Sequence, residues 1–115
     1  MPHFPIARVC LFVVLGCSAV AIAGGAHADE PYVLTLKNHV FEPARLEVPA
    51  GQEFEIVVRN QDDTPEEFES AELDREKVVP AGGEVRIRID PLSPGEYPYY
   101  GEFHSDTAVG QIVAK

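Results

Sequence analysis

Two histidines and a handful of carboxylates are the residues of this chain best suited to chemistry. His104 lies in "YYGEFHSDTAVG" (99–110), two residues from Glu102 and two from Asp106. In an extended chain, positions two apart face the same way, so one imidazole and two carboxylates would converge. In a turn that parity fails. His39 follows Asn38 where a first strand-like run ends, and Glu66 and Glu67 open an acidic stretch. Taken singly, each also reads as a solvated surface residue or a turn residue. Together they would make a mixed nitrogen and oxygen donor set, which suits Fe, Mn, Cu(II) or Zn and suits Cu(I) poorly. Hard oxygen ligands also favour a ferric over a ferrous ion, so such a site would ease oxidation of Fe(II).

Other chemistries lack their residues. There is no phosphate-binding glycine loop, no dinucleotide fingerprint and no G-x-S-x-G. Ser70, Ser93 and Ser105 carry no positional signature of a catalytic triad, and nothing supplies an activated nucleophile. Turnover is therefore not expected beyond an accessory part in metal oxidation. All 19 acidic residues lie beyond position 28, with eight of the nine lysines and arginines. That balance disfavours nucleic acid and anionic membranes as partners, which need basic patches, and is compatible with cations.

The first 28 residues read as an export signal rather than as fold. "MPHFPIAR" is a short basic n-region, "VCLFVVLGCSAVAIAGG" is apolar, and "AHA" at 26–28 has the form that signal peptidases cut after. A lipoprotein at Cys17 is the alternative, but Leu15 and Gly16 fit it poorly and the following residues stay apolar. Cleavage leaves one domain, 29–115, exported to the periplasm and with no span to hold it in the membrane. Cys10, Cys17 and the lone methionine, Met1, leave with the signal. The mature chain then has neither disulfides nor sulfur ligands.

The elements that must position these residues are short strands. "YVLTLK", "EFEIVVRN" and "EVRIRID" alternate, the last most cleanly, with Val85, Ile87 and Ile89 inward and Arg86, Arg88 and Asp90 outward. "EYPYY" and "GQIVAK" are further strands, and "VPAGQ" and "PLSPG" read as turns. Strands spaced by Gly/Pro turns predict an all-β sandwich or barrel. One segment disagrees. In "TPEEFESAELDREK" (64–77), Thr64 suits an N-cap, Pro65 the first helical position and Glu67 a capping box, so local propensity predicts a helix.

The order of short motifs goes further. An F-x-P at Phe41–Pro43, a P-A-G turn at Pro49–Gly51, and Asn60-x-Asp62 before the Glu67-Phe68 pair come first. Leu92-x-Pro94-Gly95-x-Tyr97 and His104 followed six residues later by Gly110 complete the set. Together, over about 32–115, they resemble the cupredoxins, and most the small EfeO-type cupredoxin-like proteins found with bacterial iron-uptake systems. The resemblance implies a Greek-key β-sandwich in which 64–70 is a strand, with Glu66 facing the core beside Phe68 and Glu67 facing outward. It implies that His39, Glu66 and the Glu102–His104–Asp106 loop share one pole and supply the metal ligands. Glu66 falls where copper-binding members have their first histidine, Gly101 where they have cysteine and Ala108 where they have methionine. His104 alone matches. The resemblance thus implies Fe or Cu(II) held by histidine and carboxylate rather than a blue type 1 copper centre. It also implies a partner in an iron permease or another membrane component of an uptake system. The alternative is a metal-free sandwich that docks to a membrane partner.

Overall fold

The computed structural model describes residues 30–115, so the expected export signal lies outside the described residues. Nine strands form two mixed sheets. The first sheet is ordered β2-β1-β4-β7 and contains β1 (Tyr32–Lys37), β2 (Val40–Glu42), β4 (Phe54–Asn60) and β7 (Glu84–Ile89). The second is ordered β3-β9-β8-β5-β6 and contains β3 (Arg45–Val48), β9 (Val109–Ala114), β8 (Gly95–Gly101), β5 (Glu66–Ser70) and β6 (Arg75–Val79). The pairs β1–β4 and β3–β9 are parallel, and the remaining neighbours are antiparallel. This is the all-β sandwich that the alternation predicts.

The inward sides of the two sheets supply one apolar core. Leu34 and Leu36 of β1, Ile56 and Val58 of β4 and Ile87 and Ile89 of β7 meet Phe68, Val79, Tyr99 and Ile112 from the other sheet. Each large side chain so buried contributes on the order of 1.5–3 kcal/mol. Phe41, Phe68 and Tyr99 form an aromatic cluster, with ring centroids 5.1–6.2 Å apart. The Phe41 of F-x-P thereby joins the two sheets, and the Tyr99 hydroxyl donates to the Pro43 carbonyl at 3.3 Å. In Leu92-x-Pro94-Gly95-x-Tyr97, the Tyr97 hydroxyl donates to the Ser93 carbonyl at 2.8 Å and closes the turn before β8.

Residues 64–77 are not helical. They form the β5–β6 hairpin, turning through Ala71–Asp74, with Asp74 at φ 52°. Local capping signals lose here because a helix would bury only Phe68, Ala71 and Leu73. As a strand, β5 sits between β8 and β6 and buries Glu66, Phe68 and Ser70 on one side. Tertiary pairing thus outweighs a propensity worth tenths of a kcal/mol per residue. Ser70 keeps its hydroxyl satisfied inside, donating to the Pro98 carbonyl at 2.7 Å and accepting from the Leu73 N–H at 3.1 Å.

Candidate metal centre

Three segments meet at one pole of the sandwich. The first is the β1–β2 hairpin, whose two-residue loop is Asn38-His39. Both residues have positive φ, 52° and 59°, as the favoured two-residue hairpin turn requires. Asparagine and histidine are both among the non-glycine residues enriched in that region. Asp62 holds the turn from outside: its Oδ1 accepts the Asn38 N–H at 2.7 Å and its Oδ2 the His39 N–H at 2.9 Å. Asp62 is itself set by buried Asn60, whose Oδ1 accepts the Asp62 N–H at 3.0 Å. The Asn60 amide also donates to the carbonyls of Thr64 and Val79. The Asn60-x-Asp62 motif is thus the device that places His39. His39→Gly should keep the fold within about 1 kcal/mol of the parent, since glycine relieves the left-handed backbone. It should nonetheless weaken metal binding. A denaturant midpoint beside a Cu(II) titration checks both, and unchanged binding would remove His39 from the site.

The second segment is the start of β5. Glu66 faces inward with Phe68 and is 1% exposed. A buried carboxylate needs donors, and it has three. Its Oε1 accepts the N–H groups of Phe103 at 2.8 Å and Glu67 at 3.1 Å, and its Oε2 lies 2.5 Å from His104 Nδ1. The last is a short charge-assisted hydrogen bond, with the proton assigned to the ring nitrogen because a carboxylate only accepts.

The third segment follows β8. A single 3-10 turn, Glu102–His104, leads into a loop closed by Ala108 N–H on the His104 carbonyl at 2.8 Å and Gly101 N–H on the Ala108 carbonyl at 2.7 Å. The His39 and His104 rings stack, with centroids 3.5 Å apart and planes 11° from parallel. One ligand atom each from His39, Glu66 and His104 lies within 4.8 Å of the others. His39 Nδ1 is buried without a hydrogen bond; Asp62 Oδ2 is 3.4 Å away but poorly aligned.

Gly101 explains where the Glu66 carboxyl goes. A Cβ at position 101 would stand 2.6 Å from Glu66 Cδ, 2.8 Å from its Oε1 and 2.9 Å from the Ala108 Cβ. The carboxyl therefore fills the space that a side chain at 101 would take, and the small residues at 101 and 108 make room for it. The donor set, the orphaned His39 nitrogen and this cradle all fit a metal that accepts nitrogen and oxygen ligands.

The other two residues expected at the site lie elsewhere. Glu102 and His104 are on a 3-10 turn, where residues two apart point to different sides, so the extended-chain parity does not apply. Glu102 joins Glu67, Glu69 and Glu76 on the outer face of the second sheet. Asp106 is exposed and belongs to neither group. Sequence reasoning did not anticipate the four-glutamate group. Its signal was the shared parity of Glu67 and Glu69, but the strand facing them is visible only once β6 is paired. A proton shared with Glu76 pushes the Glu67 carboxyl up to about 7, with burial and the Glu102 charge adding to it. Glu69 is raised as well, by Glu102 first and burial second. Burial raises the phenols of Tyr99 and Tyr100, and at Tyr100 the charges of Glu69 and Glu102 contribute.

The cupredoxin-like domain family matches residues 7–114. An uncharacterised protein of Rickettsia prowazekii (strain Madrid E) is 45% identical over 80 residues, which are 70% of this chain and 64% of that protein. The chain thus spans somewhat less than two thirds of that relative's length. Among solved structures, amicyanin from Paracoccus versutus superposes with a TM-score of 0.58 at 13% identity, covering 75% of this chain and 82% of amicyanin. A purple cupredoxin from Nitrosopumilus maritimus superposes with a TM-score of 0.54 at 22% identity, covering 73% of this chain and 99% of that protein. At such identities the superpositions speak for the fold, and they agree with the Greek-key sandwich that the motifs implied. The match along most of its length places this chain in the cupredoxin-like domain family.

Proposed function

We propose that this is an exported cupredoxin-like metal-binding protein that serves iron uptake. It would hold Cu(II) or Fe at His39, Glu66 and His104, and deliver iron to a membrane permease or assist its oxidation. The observation that carries the reading is the Glu66 carboxyl, buried over Gly101 and joined to His104. Two imidazoles with a carboxylate favour harder, more highly charged ions. Copper or iron bound there would supply a one-electron redox centre. The protein's own part is to hold the two rings stacked, to keep a carboxylate dry beside them, and to fix both through backbone donors. With no cysteine or methionine beyond position 17, this reading has no thiolate to make a blue type 1 centre. Periplasmic location follows from the signal-like first 28 residues, and the link to iron uptake from the likeness to the EfeO-type proteins.

Calorimetric titration of the purified protein with Cu(II), Fe(II), Fe(III), Mn(II) and Zn(II) tests the site. Saturable binding is expected, weakened in His104→Ala and Glu66→Gln by at least the roughly 10–100-fold that even supporting groups contribute to metal sites. Equal binding in both variants, or intense blue absorbance with Cu(II), would overturn the assignment. The uptake role is checked separately: deleting the gene should lower iron accumulation under limitation, and unchanged accumulation speaks against it.

A second reading, a metal-free docking module, is favoured by one observation. Val40, Phe103 and Val109, each next to or close after a pole residue in the chain, are 44%, 50% and 50% exposed. That apolar rim would suit a protein partner under either reading. The absence of saturable metal binding would leave docking as its function.

A further inference from the structure

The outer face of the first sheet and the β5–β6 end of the second treat charge in opposite ways. Across β4 and β7 the chain alternates signs: Arg59 pairs with Glu84 at 3.0 Å, Arg86 with Glu55 at 3.2 Å and Arg88 with Glu53 at 2.5 Å. Across β5, β6 and the end of β8 it gathers one sign. Glu69 stands directly opposite Glu76, Glu67 precedes it by two residues on the same face, and Glu102 follows Gly101. One carboxylate oxygen from each of the four lies within 4.8 Å of the others. Like charges opposite one another destabilise a sheet. Among the described residues none of these four forms an ion pair. The nearest cations in the chain, Arg75 and Lys77, flank Glu76 on the opposite parity, and Arg75 is spent on the Arg88 carbonyl and Asp90. Acidic composition alone does not explain this, since the same chain balances its other sheet.

A second observation points to an occupant. Glu67 is 9% exposed, and its Oε1 is cut off from solvent without a hydrogen-bond partner, as is Glu69 Oε2. Buried carboxylate oxygens without donors are rare because they are costly. No backbone N–H or basic side chain reaches these two atoms. In the metal-free protein the carboxyls share protons with one another, and one cation would displace those protons and satisfy both atoms together with the two neighbouring carboxylates. Oxygens bound to a single ion lie no more than two bond lengths apart, about 4.0–5.2 Å for bonds of about 2.0–2.6 Å. The observed spread of 4.8 Å or less fits. With oxygen donors alone, no nitrogen or sulfur among them, the site selects hard ions.

We propose that Glu67, Glu69, Glu76 and Glu102 form a second cation site, on the outer face of the five-stranded sheet, for a hard di- or trivalent metal ion. It is separate from the histidine site. Glu66 and Glu67 point to opposite faces of β5, so the two sites lie back to back across one strand. The proposal does not depend on what His39, Glu66 and His104 bind.

Terbium(III) is a suitable probe, because it is hard, oxygen-seeking and sensitised by nearby tyrosine. Tyr100 lies across from Glu69 and is 36% exposed. Titrating the purified protein with terbium(III) should give saturable sensitised emission at one ion per chain. Glu67→Gln and the exposed Glu76→Gln should each weaken it about tenfold or more, as loss of a ligand does in metal sites. His104→Ala should leave it unchanged. Ca(II), Mn(II) or Fe(III) should compete. Emission that never saturates, glutamine variants that bind as the parent does, no displacement by any of the three ions, or an equal loss in His104→Ala would each overturn the proposal. Failure of the histidine site alone would appear only in the Cu(II) and Fe titrations of His104→Ala.

Discussion

Gly101→Ala is expected to damage both the fold and the metal centre. Gly101 has φ −90° and ψ 116°, extended backbone that any residue adopts, so conformational strain is not the issue. The added methyl would stand 2.6 Å from Glu66 Cδ and 2.9 Å from Ala108 Cβ. Ala108 is fully buried and cannot retreat, so the Glu66 carboxyl must move. Moving it breaks its bonds to the Phe103 and Glu67 N–H groups and to His104 together. Overpacking of this kind costs about 1–3 kcal/mol, and a donor left buried without its acceptor adds about 1–3 kcal/mol. Denaturant midpoints should fall accordingly, and Cu(II) affinity should fall with them. A variant with the parent's midpoint and affinity would show that Glu66 does not need the cradle.

Glu67→Gln should act in the opposite direction, stabilising the metal-free protein and doing so only above mildly acidic pH. The sign follows from linkage. The Glu67 carboxyl titrates at about 7 in the folded chain, against 4.5 for the ordinary group. Between those values the folded state holds a proton that the unfolded state has released, so stability falls as pH rises from about 4.5 to about 7, and the loss persists above. Glutamine carries no charge and escapes it. Melting with a chelator present should therefore place the variant above the parent at pH 8, with the two much closer at pH 4.5. Glu47, whose carboxyl is held below its usual range by its hydrogen bond and ion pair with Lys115, contributes a small slope of the other sign that is common to both proteins and cancels. A hard cation should raise the parent's melting temperature at pH 8 more than the variant's. A difference that is flat with pH would mean that crowding among the four carboxyls is not what raises Glu67.

These two residues, with His39, describe a protein that gives up stability at two places, the pole and the outer face behind it. His39 sits at positive φ, and Glu67 is crowded against three other acids on the outer face of the second sheet. Strain and like-charge crowding of this kind are tolerated where a site requires them.

Legibility from sequence varied with the range of the interaction. The strict alternation of β7 was readable because its rule is local, one face against the core. So were the turns at Pro49–Gly51 and before Tyr97, where residue type carries the conformation. His39, Glu66 and His104 were legible as a group only through the order of motifs, since no periodicity links residues 27 and 38 positions apart. The same order of motifs grouped Glu102 and Asp106 with them, but the loop takes a 3-10 turn at Glu102–His104, and extended parity with His104 does not hold there. In 64–77 the capping residues are real helix signals, but the order of motifs pointed to a strand over 64–70, and hydrogen bonding to two strands on either side of β5 makes it one.

By itself the sequence determined the layered all-β class, the donor types at hand and the lack of sulfur beyond position 17, because these depend on alternation and composition. Tertiary structure alone decided that the Glu66 carboxyl occupies the space over Gly101, and that Glu67, Glu69, Glu76 and Glu102 meet. Both depend on which strands become neighbours and in what register, and a shift of one residue would turn every one of these side chains to the other face.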